Sequence, residues 1–205
     1  LYSRPDLMPD ALHPNEEGAT ILARQVYQAI TNDFGGLSLP AIYSNNMVIQ
    51  RDKPFVLRGT ANAGRKITAQ LGGEKQRTTT APDGSWEITF KARKATSEPL
   101  TLTVTDKDTQ ITLTDILVGE VWLCSGQSNM VFMLRQATNA QANIDDALTK
   151  KNLRIYDMRP CVYTDPIMWD SISLAKLNRL DYYVPTQWAA LTPENAPNFS
   201  AIAYH

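Results

Sequence analysis

The sequence is poor in the residues that most simply build a metal site or a covalent scaffold. Among 205 residues there are two cysteines, Cys124 and Cys161, and two histidines, His13 and His205. Two cysteines do not make a disulfide framework, and their spacing matches no zinc pattern. So few histidines argue against a His-rich metal centre, and no metal or organic cofactor is expected. An excess of one charge is missing too: 20 Lys and Arg stand against 21 Asp and Glu, for a net charge of −1. Nothing is left over to neutralise phosphates, so nucleic acid is not an expected partner. No apolar run approaches the roughly 18 residues that suggest a membrane span, so a membrane is not an expected partner either. The opening "LYSRPDLMPD" lacks the apolar core of a signal peptide, and the chain is not expected to be the start of a precursor.

An apolar share of 43% with 20% charged residues is ordinary for soluble globular protein. The length admits one large domain or two smaller ones. Three textures follow one another. From Pro14 to about Ile30 the spacing of Leu22, Val26, Ala29 and Ile30 predicts one amphipathic helix. Pro14 suits its first position, and Glu16 and Glu17 suit its positive end. "TNDFGGLSLP" then reads as a linker. Between Ala41 and Val118, "FVLRG", "KITAQL", "SWEITF", "LTLTVT" and "ITLTDILV" alternate apolar and polar residues. They are divided by "NAG", "LGG" and "APDGS", so this region predicts a β-sandwich with no helix. After Gly119, Val121–Leu123 predicts a strand, Gln141–Lys150 a helix stopped by Asn152, and "LRIYDM" a second strand. That order is a βαβ unit and implies a parallel sheet. From Arg159 onward, scattered prolines and aromatics predict a long irregular connection.

Chemistry enters at "VWLCSGQSNM", residues 121–130, where an apolar run ends in small polar residues around Ser128. A serine hydroxyl needs a base to take its proton and donors to hold the resulting oxyanion. A tight strand-to-helix turn exposes Oγ and aims backbone N–H groups at the same point. "GQSNM" keeps Gly126 but has Met130 where the Gly-x-Ser-x-Gly elbow has its second glycine. Taken alone, such a serine is more often a helix N-cap than a nucleophile. "DALHPNEEG" adds Asp10 three residues before His13, a spacing that lets a carboxylate hold one imidazole tautomer for general-base work. The plainer reading makes Asp10 a turn residue. Cys124, at the end of an apolar strand, is expected to be a buried thiol.

"GEVWLCSGQSNM" resembles the nucleophile block of the sialate O-acetylesterase family within the SGNH hydrolases. The resemblance continues through "LPAIYSNNMVIQRDKP", "NLRIYDM", "VPTQWAAL" and "NFSAIAY", covering roughly residues 37–205. It implies Ser128 as acyl-accepting nucleophile, with its own N–H in the oxyanion hole, and Gly126, Gln127 and Asn129 supporting the turn. "DALHPNEEGATILARQVYQAI" resembles the closing block of SGNH esterases, which implies Asp10 and His13 as the rest of a triad. In those families this block follows the serine, whereas here it precedes it. The implied organisation joins the end of one esterase domain (1–31) to a β-sandwich (32–118) and the N-terminal part of a second catalytic domain (119–205). The implied fold class is α/β: a partial SGNH (flavodoxin-like) parallel-sheet hydrolase preceded by an all-β, jelly-roll-like sandwich.

The resemblance further implies a serine carbohydrate esterase removing O-acetyl groups from sialic acids through an acetyl-serine intermediate, in an extracytoplasmic (periplasmic or secreted) setting. The expected partners are an O-acetylated sugar and the remainder of the catalytic domains. Two alternatives stay open: an acetylesterase of plant polysaccharide of the xylan type, and an inactive fragment or β-sandwich module of a larger tandem esterase. Trp169 and Trp188 are candidates for stacking on a sugar ring, against the commoner role of core tryptophan.

Overall fold

A computed structural model of the chain describes residues 4, 6–10, 12–160 and 183–205. Cys161, Trp169 and the rest of residues 161–182, part of the expected irregular connection, lie outside the described residues.

Every alternating run of the middle region forms a strand, and period-two burial explains why. In β5 (Ser85–Phe90), Trp86, Ile88 and Phe90 are buried while Ser85, Glu87 and Thr89 face solvent. In β3 (Lys66–Leu71), Ile67, Ala69 and Leu71 are buried in the same way. β6 (Thr96–Thr105) and β7 (Gln110–Gly119) carry Leu102, Val104, Ile116, Leu117 and Val118 inward. β2 (Phe55–Thr60) pairs antiparallel with β5, from Phe55 opposite Phe90 to Thr60 opposite Ser85. Two further strands, β1 (Val48–Gln50) and β4 (Glu74–Thr79), complete a five-stranded mixed sheet in the order β1-β7-β6-β3-β4. That sheet and the β2–β5 pair share one apolar core, in which Leu57, Ile67, Phe90 and Leu102 are fully buried. Each such side chain contributes about 1.5–3 kcal/mol.

The turns work as their residues suggest. In "APDGS", Gly84 has a positive φ of 78°, and its N–H donates to the Ala81 carbonyl. Asp83 Oδ1 accepts from the Ser85 N–H (2.9 Å) and hydroxyl (2.6 Å). A side chain at Gly84 would also meet Phe34 and the Ala61 carbonyl at under 3 Å, so only glycine serves there.

The first helix, α1, spans Glu16–Thr31. Its N-cap is Asn15, whose Oδ1 accepts from the Gly18 N–H at 2.9 Å. Pro14 therefore lies one residue outside the cap rather than at the first helical position: an asparagine side chain can satisfy a free helical N–H and proline cannot. Gly18 lets the Leu7 carbonyl approach to 2.6 Å of where a Cβ would sit, and Leu7 is buried there. The stripe of Leu22, Val26 and Ile30 is exposed.

The largest departure from expectation follows Gly119. Val121–Leu123 forms no strand: the backbone leaves the ladder and runs exposed to a four-residue helix, α2 (Ser128–Val131). α3 spans Ala140–Thr149 and ends at Lys150, not Asn152. "LRIYDM" shortens to β8 (Arg154–Ile155), which pairs antiparallel with β9 (Ala189–Ala190). The expected parallel βαβ pairing is thus not formed among the described residues, because the first strand of that unit meets no ladder partner.

Side-chain contacts of Arg154 and Trp188 help to fasten this second region to the first. The Arg154 guanidinium, almost fully buried, binds Asp115 of β7 at 2.9 Å. Trp188 donates its indole N–H to the Ile42 carbonyl (2.9 Å) and its backbone N–H to the Ser44 hydroxyl (3.0 Å). A second apolar cluster of Leu134, Ile144, Ala147, Ala196 and Ala201 joins α3 to the last helix, α4 (Ala201–Tyr204).

Candidate active site

Ser128 opens α2 and is exposed. The residue in the N-cap position is Gln127, and the Ser128 hydroxyl makes no hydrogen bond among the described residues. The cap role that competes with a nucleophile is therefore not the one the hydroxyl fills. The turn is closed by backbone bonds: the Met130 N–H donates to the Gln127 carbonyl (3.0 Å) and the Phe132 N–H to the Asn129 carbonyl (3.2 Å). Met130 bends back over Gly126, where an added Cβ would lie 2.6 Å from Met130 Cγ. The methionine in place of a second glycine thus needs the first glycine to make room. Gln127 and Asn129 meet the turn through their carbonyls rather than their side chains.

The serine turn hangs between two fixed points. Downstream, the Leu134 N–H donates to the Phe199 carbonyl (2.9 Å) and the Ala201 N–H to the Phe132 carbonyl (2.8 Å). Upstream, β7 ends at Gly119, opposite Gln50 of β1. The Val121 N–H then donates to Gln50 Oε1 at 2.8 Å, and Gln50 Nε2 donates to Glu120 Oε2 at 3.0 Å. Sequence reasoning missed Gln50, whose partners lie about seventy residues away and leave no local signal. Between the two points Trp122 and Leu123 are 81% and 94% exposed. Cys124 is exposed with them, not buried: a thiol is buried only if its strand finds a cover.

Asp10 and His13 do meet. Asp10 Oδ2 stands 2.8 Å from His13 Nδ1, while Oδ1 accepts from the backbone N–H groups of His13 (2.6 Å) and Leu12 (2.9 Å). The His13 N–H, the His13 ring and the Leu12 N–H, in that order, hold the Asp10 carboxyl down to about 2. A neutral His13 that donates Nδ1–H to this carboxylate keeps Nε2 as the proton acceptor. The pair is exposed, and no hydrogen bond or ion pair joins it to the Ser128 turn among the described residues. The structure thus forms the Asp10–His13 pair and the Ser128 turn without linking them among the described residues.

Trp188 is committed to structure: both its N–H groups are bonded, and its ring packs on the β-rich core and against Tyr156. A cavity of about 280 Å³ lies beside β8 and β9, lined by Ile155, Asp157, Arg159, Thr186 and Gln187 among others. No cluster of three or more His, Cys, Asp or Glu able to hold a metal occurs among the described residues, and no helix there is long and apolar enough to cross a membrane.

Comparison with known proteins gives this geometry a context. The chain is 31% identical over 134 residues to a sialate O-acetylesterase of Rattus norvegicus, covering 60% of this chain and 24% of that protein. It is 26% identical over 171 residues to the Homo sapiens sialate O-acetylesterase, covering 78% of this chain and 30% of that one. The chain is thus similar to proteins named sialate O-acetylesterase. The chain spans less than a third of the length of either protein. A solved carbohydrate acetylesterase from Xanthomonas citri matches with a TM-score of 0.67 and 26% identity, over 82% of this chain and 35% of that one. No family model matches.

Proposed function

We propose that Ser128 is the nucleophile of an SGNH-type carbohydrate esterase that removes O-acetyl groups from sialic acids. The observation that carries this reading is an exposed serine hydroxyl, without a hydrogen bond among the described residues and uninvolved in capping, at the first turn of a helix in a chain similar to sialate O-acetylesterases. Oγ attacks the acetyl carbonyl carbon while a base takes its proton, giving a tetrahedral oxyanion held in part by the Ser128 N–H. The bond from carbon to sugar oxygen then breaks, that oxygen takes the proton from the base, and acetyl-serine remains. Water, deprotonated by the same base, attacks the acetyl carbon; the carbon–Oγ bond breaks, Oγ takes the proton back from the base, and acetate leaves.

Asp10 and His13 have the geometry of the base half of such a site. Their carboxylate is kept ionised, one tautomer is favoured, and the second ring nitrogen is left to accept a proton. Among the described residues no bond ties that half to Ser128, so the two are tested separately. Acetate release from an O-acetylated sialic acid by the intact protein should fall on the order of 10⁴-fold in Ser128→Ala. Parent-like turnover in that variant would sink the reading. An equal loss in His13→Ala would assign both halves to one site, and an unchanged rate would assign His13 to another.

The Xanthomonas citri neighbour bears the broader name of carbohydrate acetylesterase, which keeps a second sugar class in view. Faster acetate release from acetylated xylan than from acetylated sialic acid would favour it.

A further inference from the structure

Downstream of β7 the chain has no ladder among the described residues to guide it to Ser128. From Trp122 to Gly126 the backbone makes no hydrogen bond among the described residues, and all five residues are exposed. The direction in which this arm leaves the sheet is set at one place. The parallel pairing of β1 and β7 runs from Val48 opposite Leu117 to Gln50 opposite Gly119, and the Arg51 N–H extends it by one bond to the Gly119 carbonyl at 2.8 Å. Past that point the Gln50 side chain takes over from the backbone. Its carbonyl oxygen accepts from the Val121 N–H and its amide donates to the Glu120 carboxylate, so one planar group grips two successive residues. Arg51 adds an ion pair to the same carboxylate at 3.7 Å.

We infer that Gln50, a residue of the β-rich region, positions the serine-bearing arm for catalysis by clamping Glu120 and Val121. The inference rests on Ser128 being the nucleophile. Gln50 acts as a positioning residue: it fixes where the arm starts, and the bonds of Phe132 to Ala201 and of Leu134 to Phe199 fix where it ends. An attacking atom displaced by about 1 Å can cost on the order of a hundredfold in rate. Among the described residues, the backbone from Trp122 to Gly126 supplies no bonds of its own to resist such a shift. A further consequence is a role for the β-rich region in turnover, beyond support.

An amide is needed for both bonds at once, and this makes a discriminating test. In the intact protein, Gln50→Ala removes both bonds, and Gln50→Glu sets two carboxylates against each other. Both variants should lose tenfold or more in kcat with KM for an O-acetylated sialic acid unchanged. The reciprocal Gln50→Glu/Glu120→Gln variant keeps an acceptor for the Val121 N–H and gives residue 120 an amide that donates to residue 50, and should recover kcat to within about threefold of the parent. A merely structural role would not give rescue in kcat at constant KM. Parent-like kcat in Gln50→Ala, or a folded reciprocal variant as slow as Gln50→Glu, overturns the inference while Ser128→Ala still abolishes turnover. Should Ser128→Ala itself remain active, it is the assignment of the nucleophile that fails.

Discussion

The two halves of the molecule use apolar residues in opposite ways. In β5, Trp86, Ile88 and Phe90 alternate with polar residues, and one face of one sheet buries all three. At 121–123 three apolar residues stand in succession, and the two largest are almost wholly exposed. An alternating strand needs a cover on one side only, and the β-rich region supplies it from its own strands. A continuous apolar run asks for cover on both faces and for ladders on its edges, which the described residues do not offer. Local pattern therefore decides the first half, whereas the second depends on a few long-range contacts: Gln50 to Val121, Asp115 to Arg154, Ile42 and Ser44 to Trp188.

The strongest way to break this contrast is to remove matched side chains. Phe90→Ala empties a fully buried position and should cost about 3–5 kcal/mol of unfolding free energy in urea titration. Leu123→Ala should stay within about 0.5 kcal/mol. A loss at Leu123 comparable to that at Phe90 would show that the arm is buried in solution. Next in size is the junction between the halves. Asp115→Asn keeps a residue that tolerates the positive φ of 54° but deprives the Arg154 guanidinium of its carboxylate. Because Asp115 is itself partly exposed, solvent screening reduces the expected loss to about 1–2 kcal/mol. Trp188→Phe keeps the ring and loses the bond to Ile42, for about 1 kcal/mol. An unchanged midpoint in both variants would mean that the halves are not fastened there.

How far the sequence could be read follows the same division. The alternating strands and their Gly-Asp turns were legible because period and punctuation are local. β4, "EKQRTT", was not: it is polar on both faces and exists only because β3 pairs with it. β1 is three residues long and is held by a partner about seventy residues on. The Asp10–His13 turn was legible because its bonds span three residues. Gln50 was invisible for the opposite reason. The run "VWLC" states what kind of strand it would make, and it cannot state whether a partner is present.

The smallest effect expected concerns Asp10. Its carboxyl is depressed from 3.8 to about 2, so the folded turn favours the ionised form. The stability this contributes is present above the ordinary aspartate range and is lost as pH falls through about 2. An NMR titration of the Asp10 side-chain carboxyl should have its midpoint near 2, and near the ordinary value in a chain unfolded by urea. A folded-state midpoint near 3.8 would mean that the His13 and Leu12 bonds do not persist in solution.

The central claim is that the exposed arm carries the nucleophile. Its most direct test is an acid quench of the intact protein turning over an O-acetylated sialic acid, followed by mass spectrometry of its peptides. The account predicts an acetyl group on Ser128 that disappears in Ser128→Ala. Acetate released in step with turnover while the acetyl group sits on another residue, or on none, would contradict it.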